Sequence, residues 1–313
     1  MSDGKWLHGL RQDMPVVAAA RHVLLARLAP VRDRLPQAVF HADEDPEHVH
    51  QLRVSTRRAG AALRIFAACL PAKVYDKVRK KLRAVRRAAG AARDWDVFLD
   101  FLAQRQLKAP SVQQPGLDLL LGVAQGARLA AQQVLVQATQ HPPLDVDALL
   151  QTALAALKMP MDNSATYSLR DMAVPLLTEQ LCLLDQAAKG DLHNYEHLHQ
   201  VRIRGKRLRY AMEVFAGCFG ISFQEKYYPA VEEMQEILGQ ANDSHVAEQR
   251  LAAIRSRIKL TQPSTWGRYQ PGIDALLRYH RRALPQKRKL FLTWWRDWQQ
   301  SGAEEAFASL LKS

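Results

Sequence analysis

Apolar positions recur along most of this chain at the three-to-four-residue spacing of amphipathic helices, and no stretch alternates apolar and polar residues as a half-buried strand does. The fold class read from this pattern is all-α. Helices are expected at about 15–39, 47–69, 72–104 and 116–140, and again at 169–189, 195–219, 223–259 and 273–300, with Pro175, Pro229 and Pro285 as kinks. A shorter amphipathic helix is expected at 145–159, where it would link the two sets. Residues 1–13 and 301–313 read as tails.

The two sets are copies. Residues 47–66, EHVHQLRVSTRRAGAALRIF, return at 196–215 as EHLHQVRIRGKRLRYAMEVF, an offset of 149 that also carries Cys69 to Cys218, Gly90 to Gly239 and Asp94 to Asp243. A match this long without gaps is an internal repeat. It divides residues 14–300 into halves 14–141 and 164–300, for which two pseudo-symmetric four-helix bundles are the expected form. Asp45 and Asn194 hold equivalent N-cap positions.

On a helical wheel His50, Arg53, Arg57 and Arg64 fall in a stripe roughly 60° wide, with Arg58 on its flank. Leu52, Thr56, Ala59, Leu63 and Phe66 take the opposite side. The second copy repeats the basic stripe with His199, Arg202, Lys206 and Arg209. Lys80, Arg83 and Arg87 form a further stripe on the third helix, with Arg86 placed outside it.

This pattern resembles the CHAD family of histidine-bearing α-helical domains. The resemblance rests on His50-x-x-Arg53-x-x-x-Arg57-Arg58, on Gly90-Ala-Ala-Arg93-Asp94-Trp-Asp96-Val97, and on the second-half stretches from His199 to Tyr210 and from Leu238 to Asp243. It runs over roughly 14–300 and implies paired bundles with a basic groove or pore between them. It also implies a stand-alone, non-catalytic binder of inorganic polyphosphate. Carried over by position, the phosphate ligands are Arg53, Arg57, Arg58, Arg64, Arg202, Lys206, Arg207 and Arg209, with His50 and His199 beside them and Tyr210 as a weaker candidate. Asp94 and Asp243 are expected to orient arginines. Arg64 is answered by Glu213, Arg93 by Asn242 and Asp96 by His245, so the first half is expected to supply more of the affinity.

Charge supports an anionic partner. The chain of 313 residues carries a formal net charge of +13, and its segment from His50 to Arg93 alone holds thirteen Lys or Arg against one acid, Asp76. Smaller basic blocks lie at Arg202–Arg209 and Arg278–Lys289, which leaves the remaining sequence net acidic. Such segregation suggests a site rather than general solubility. A chain of linked phosphates presents charge at every unit and no bases, so its recognition calls for many guanidinium and ammonium groups along a track.

Two other classes compete with this reading. Nucleic acid would bind the same charge, and general polyanion binding is the main alternative, but the stripe is not interleaved with stacking aromatics and no helix-turn-helix or zinc spacing occurs. A metal-dependent phosphohydrolase is suggested by the histidines and acids at 41–50 and 193–199; yet His48 and His50 diverge by about 200° on a helix and cannot share a metal. No catalytic residue, metal site or cofactor is therefore assigned. The three cysteines read as small hydrophobes in a reducing compartment. With no secretory signal and no stretch approaching a membrane span, the expected location is cytoplasmic, with polyphosphate granules as an associated place and neither membrane nor specific nucleic acid as a partner.

Overall fold

The computed structural model describes residues 4–140, 143–158 and 167–312, and the described residues are helical with no strand. The first set comprises α1 (Val16–Phe40), α2 (Glu47–Ile65), α3 (Ala72–Gln106) and α4 (Gln114–Gln140), followed by the short α5 (Val146–Ala155). The second comprises α6 (Leu169–Ala188), α7 (Tyr195–Phe215), α8 (Tyr228–Thr261) and α9 (Trp266–Gln300), and α10 (Ala303–Lys312) closes the chain. The expected bounds 141, 159 and 164 fall outside the described residues.

The offset of 149 holds in local geometry. The Asp45 carboxylate accepts from the Glu47 amide at 2.8 Å, and the Asn194 side chain accepts from the Glu196 amide at 2.9 Å, so both copies begin under the same cap. Both motif helices then tighten into short 3₁₀ turns, Ala67–Cys69 and Ala216–Cys218. Phe66 and Phe215 are fully buried, as are Cys69 and Cys218, while Cys182 is exposed and all three thiols are free.

The hydrophobic core does not follow the repeat boundary. One large cluster draws on α1, α2 and the first part of α3 together with α6, α7, the first part of α8 and the end of α9. A second joins Phe98 and Leu102 of α3, Leu117 and Leu120 of α4, Leu251 and Ile254 of α8, and Ile273 and Leu276 of α9. Each cluster therefore contains side chains from both copies. The α4–α9 crossing is held at a pair of glycines: a Cβ on Gly272 would lie 2.4 Å from the Gln113 carbonyl oxygen, and one on Gly116 would lie 2.3 Å from that of Tyr269. Only glycine lets these backbones approach so closely.

Several expectations need correction. The described residues of both expected tails, 4–13 and 301–312, pack on the core: Phe307 and Leu311 of α10 are fully buried, Leu10 is buried, and Trp6 packs edge-on to Tyr228 at 4.7 Å. Gly9 and Gly302 both adopt positive φ, Gly302 at the turn that separates α9 from α10. Pro229 falls in the first turn of α8, directly after a π-helical turn at Phe223–Tyr227, so the irregularity expected of it lies in the residues just before it. Residues 111–140 are long and apolar enough, by length and composition, to cross a membrane, contrary to the expectation that nothing approaches such a span. Here the segment packs along α3 and α9.

Candidate functional site: a cationic cluster between α2 and α7

Helices α2 and α7 pack against one another and bring their two basic stripes together. From α2 come Arg53 and Arg57, and from α7 Arg202, Lys206 and Arg209; Arg86 of α3 joins them. Gly90 leaves room for Arg53 to lie across α3, its Nε 3.7 Å from where a Cβ would stand, and the Arg53 guanidinium meets the Asp94 carboxylate at 3.1 Å. Asp94 thus orients an arginine. Arg202 lies in the field of both Asp243 and Asp94, the equivalent acids of the two copies.

The cluster's electrostatics follow from burial and crowding. Burial, reinforced by Arg202, Arg57, Arg53 and Arg209, pulls the Lys206 ammonium down to about 6. Burial also lowers Arg57, with Arg53, Arg209 and Arg58 adding to the effect against Tyr210. His50 and His199 are lowered by burial first, then chiefly by Arg93 and Arg202 respectively, which favours the neutral imidazole at both. Several polar atoms here are buried and lack hydrogen-bond partners: Nδ1 of His50 and of His199, Nε of Arg57, of Arg202 and of Arg209, and the Tyr210 hydroxyl. Buried groups of this kind are costly unless something completes them.

Two of the expected phosphate ligands have other work in this structure. Glu213, 1% exposed, receives Arg58 at 2.9 Å, Arg27 at 3.7 Å and Arg209 at 3.9 Å, and accepts from the Tyr228 hydroxyl at 3.0 Å. Arg209 also pairs with Glu232 at 3.1 Å; burial opposes its charge, but the tyrosines and the two glutamates outweigh it and its pKa is raised. Arg58 and Arg209 therefore compensate a buried carboxylate and offer less free charge than Arg57 or Arg202. Arg64 and Arg207 lie near one another on the exposed flank, and Lys80, Arg83 and Arg87 line the exposed side of α3.

Sequence reasoning missed Arg86, Arg27 and Arg250. Arg86 is half-buried and lies in the fields of Arg53 and Tyr210. A signal was present, since Arg86, Gly90 and Asp94 recur at i, i+4 and i+8 and so share the α3 face that meets Arg53. Arg250 donates to the Asp94 backbone oxygen at 2.9 Å and stacks on Trp95 at 3.7 Å, a contact between copies that no local pattern announces. Among the described residues no group of three His, Cys, Asp or Glu side chains could hold a metal ion.

An all-helical protein with an internal repeat and a cationic cluster at the meeting of its two motif helices is the class these observations define. Residues 13–252 match the CHAD domain, and the chain belongs to that family. The fold is similar to the crystal structure of the CHAD domain from the plant Ricinus communis, with a TM-score of 0.65 at 24% identity over 99% of this chain and 96% of that one. It is also similar to PptA from Streptomyces chartreusis, with a TM-score of 0.63 at 20% identity over 90% of this chain and 99% of that one. No curated protein sequence matches the chain. The domain match ends within α8, whereas the likeness to the plant structure extends through α9.

Proposed function

We propose that this protein binds inorganic polyphosphate in a basic groove between two four-helix halves, without catalysing a reaction, in the cytoplasm and on polyphosphate granules. The observation that carries the reading is the crowding of half-buried Arg57, Arg202 and Lys206 beside further cations, with Asp94 and Asp243 as the acids near Arg202. Packing like charges together in a poorly solvated site costs stability. A linear polyanion offsets that cost when it arrives, by placing negative charge against Arg57, Arg202 and their neighbours. Membership of the CHAD family supports the choice of polyphosphate. The phosphate ligands in this reading are Arg53, Arg57, Arg202, Lys206 and Arg86, with His50 and His199 at one end and Arg64, Arg207, Lys80, Arg83 and Arg87 as outer charge.

The test is competition at physiological salt: labelled long-chain polyphosphate against unlabelled polyphosphate, duplex DNA and RNA, for wild type and for Arg53→Glu/Arg57→Glu. Polyphosphate should win by orders of magnitude, and the variant should fail to bind while keeping its helical circular dichroism. Equal competition by nucleic acid per phosphate would make the protein a general polyanion binder. Full affinity in the folded double variant would move the site elsewhere.

A further inference from the structure

The basic block at Arg278–Lys289 is not part of the α2/α7 cluster, yet the structure ties it to one end of that cluster. Arg288 donates to the backbone oxygen of His193 at 3.3 Å, two residues before Tyr195 opens α7. Tyr195 in turn stacks on His245 at 3.4 Å, lies 5.8 Å from the His199 ring, and donates to Asn242 at 3.1 Å. Arg281 pairs at 2.8 Å with Glu248, less than one turn beyond His245 on α8. Helix α9 is thereby anchored at two points around the end of the cluster that carries His199.

The rest of the block is left open. Arg278, Arg282 and Lys289 are exposed and have no carboxylate partner among the described residues. From 278 to 289 there are six Lys or Arg and no Asp or Glu, a stretch of about 17 Å along a helix. We propose that the anion path continues past the start of α7 onto this face of α9, so that a long polyphosphate chain occupies both the α2/α7 cluster and Arg278, Arg282 and Lys289, whereas a short one occupies only the cluster. The proposal rests on the polyphosphate reading. Its physical basis is that a polymer charged at every unit gains from each further cation within reach, through release of its counterions.

The experiment compares long-chain polyphosphate with tripolyphosphate on Arg278→Gln/Arg282→Gln/Lys289→Gln. A control, Arg257→Gln/Lys259→Gln/Arg268→Gln, removes the same net charge near the far ends of α8 and α9. The α9 triple variant should lose about tenfold or more in affinity for the long chain and flatten its log affinity against log salt by about two, with tripolyphosphate affinity unchanged. The control should change neither. Unchanged long-chain binding would mean that α9 presents only a solvated face, and an equal loss for both chain lengths, or in the control, would reduce the effect to net charge. Each of these overturns the extension. Failure of wild type to bind polyphosphate of any length would instead overturn the functional reading on which the extension stands.

Discussion

Lys206 should take up a proton when the anion binds. Its ammonium is pulled to about 6 by burial and by Arg202, Arg57, Arg53 and Arg209, so at pH 8.5 well under 1% of free protein carries that charge. A phosphate chain seated against Lys206 reverses the field and restores the ordinary lysine value of about 10.4. Binding at pH 8.5 is therefore coupled to uptake of about one proton, and affinity should fall about tenfold per pH unit between roughly 7 and 10. His50 and His199 start below their usual value, so the higher pH isolates the lysine. Calorimetric titration in buffers of different ionisation enthalpy reads the proton number directly. Lys206→Met and Lys206→Arg should both bring it to zero, the first because no ammonium remains and the second because a guanidinium is charged throughout. A wild-type enthalpy independent of buffer, or an uptake that persists in Lys206→Met, would refute the reasoning. The free protein carries the mirror-image effect. Because the folded value lies below the unfolded one, the penalty from Lys206 is fully present below pH 6 and is relieved as pH rises toward 10. Thermal melts of wild type should therefore gain on those of Lys206→Met across that window.

Removing the buried carboxylate with Glu213→Ala takes away the anion that Arg27 and Arg58 share, and should cost about 3–5 kcal/mol in denaturant unfolding. A loss below 1 kcal/mol would show that the network is solvated. Gly272→Ala drives a methyl group into the Gln113 carbonyl and should destabilise by about 1–3 kcal/mol, whereas Gly126→Ala, with nothing within 4 Å of its added Cβ, should stabilise by a few tenths to about 1 kcal/mol. Matching melting temperatures for the two would contradict the close crossing. Affinity for long polyphosphate should fall steeply with salt, and Arg57→Gln should flatten that slope more than Arg58→Gln, whose partner Glu213 already takes its charge.

The helices and the repeat were legible because both are written in one dimension: a period near 3.6, and an offset that carries capping residues, phenylalanines and cysteines together. The basic stripes of α2 and α7 were legible for the same reason. What the wheel could not supply was the identity of the facing partner. Arg58 and Arg209 point the right way for a ligand, but Glu213 stands at the position equivalent to Arg64 and captures them. Arg86 was misplaced because the charges of α3 were compared with one another rather than with Gly90 and Asp94, the residues that mark its inner face. The packing of residues 4–10 and of α10 depends on contacts far away in sequence, such as Trp6 on Tyr228 and Phe307 on Tyr227, which short segments do not foretell.

Both hydrophobic clusters take side chains from each copy of the repeat. The copies have therefore surrendered their independence. Expressed alone, either one would present a wide uncovered apolar flank and should aggregate, while the two produced together as separate chains should reassemble. The same interlocking opposes any opening and closing of the copies like jaws, so under the proposed function a long polymer would settle onto a preformed seam.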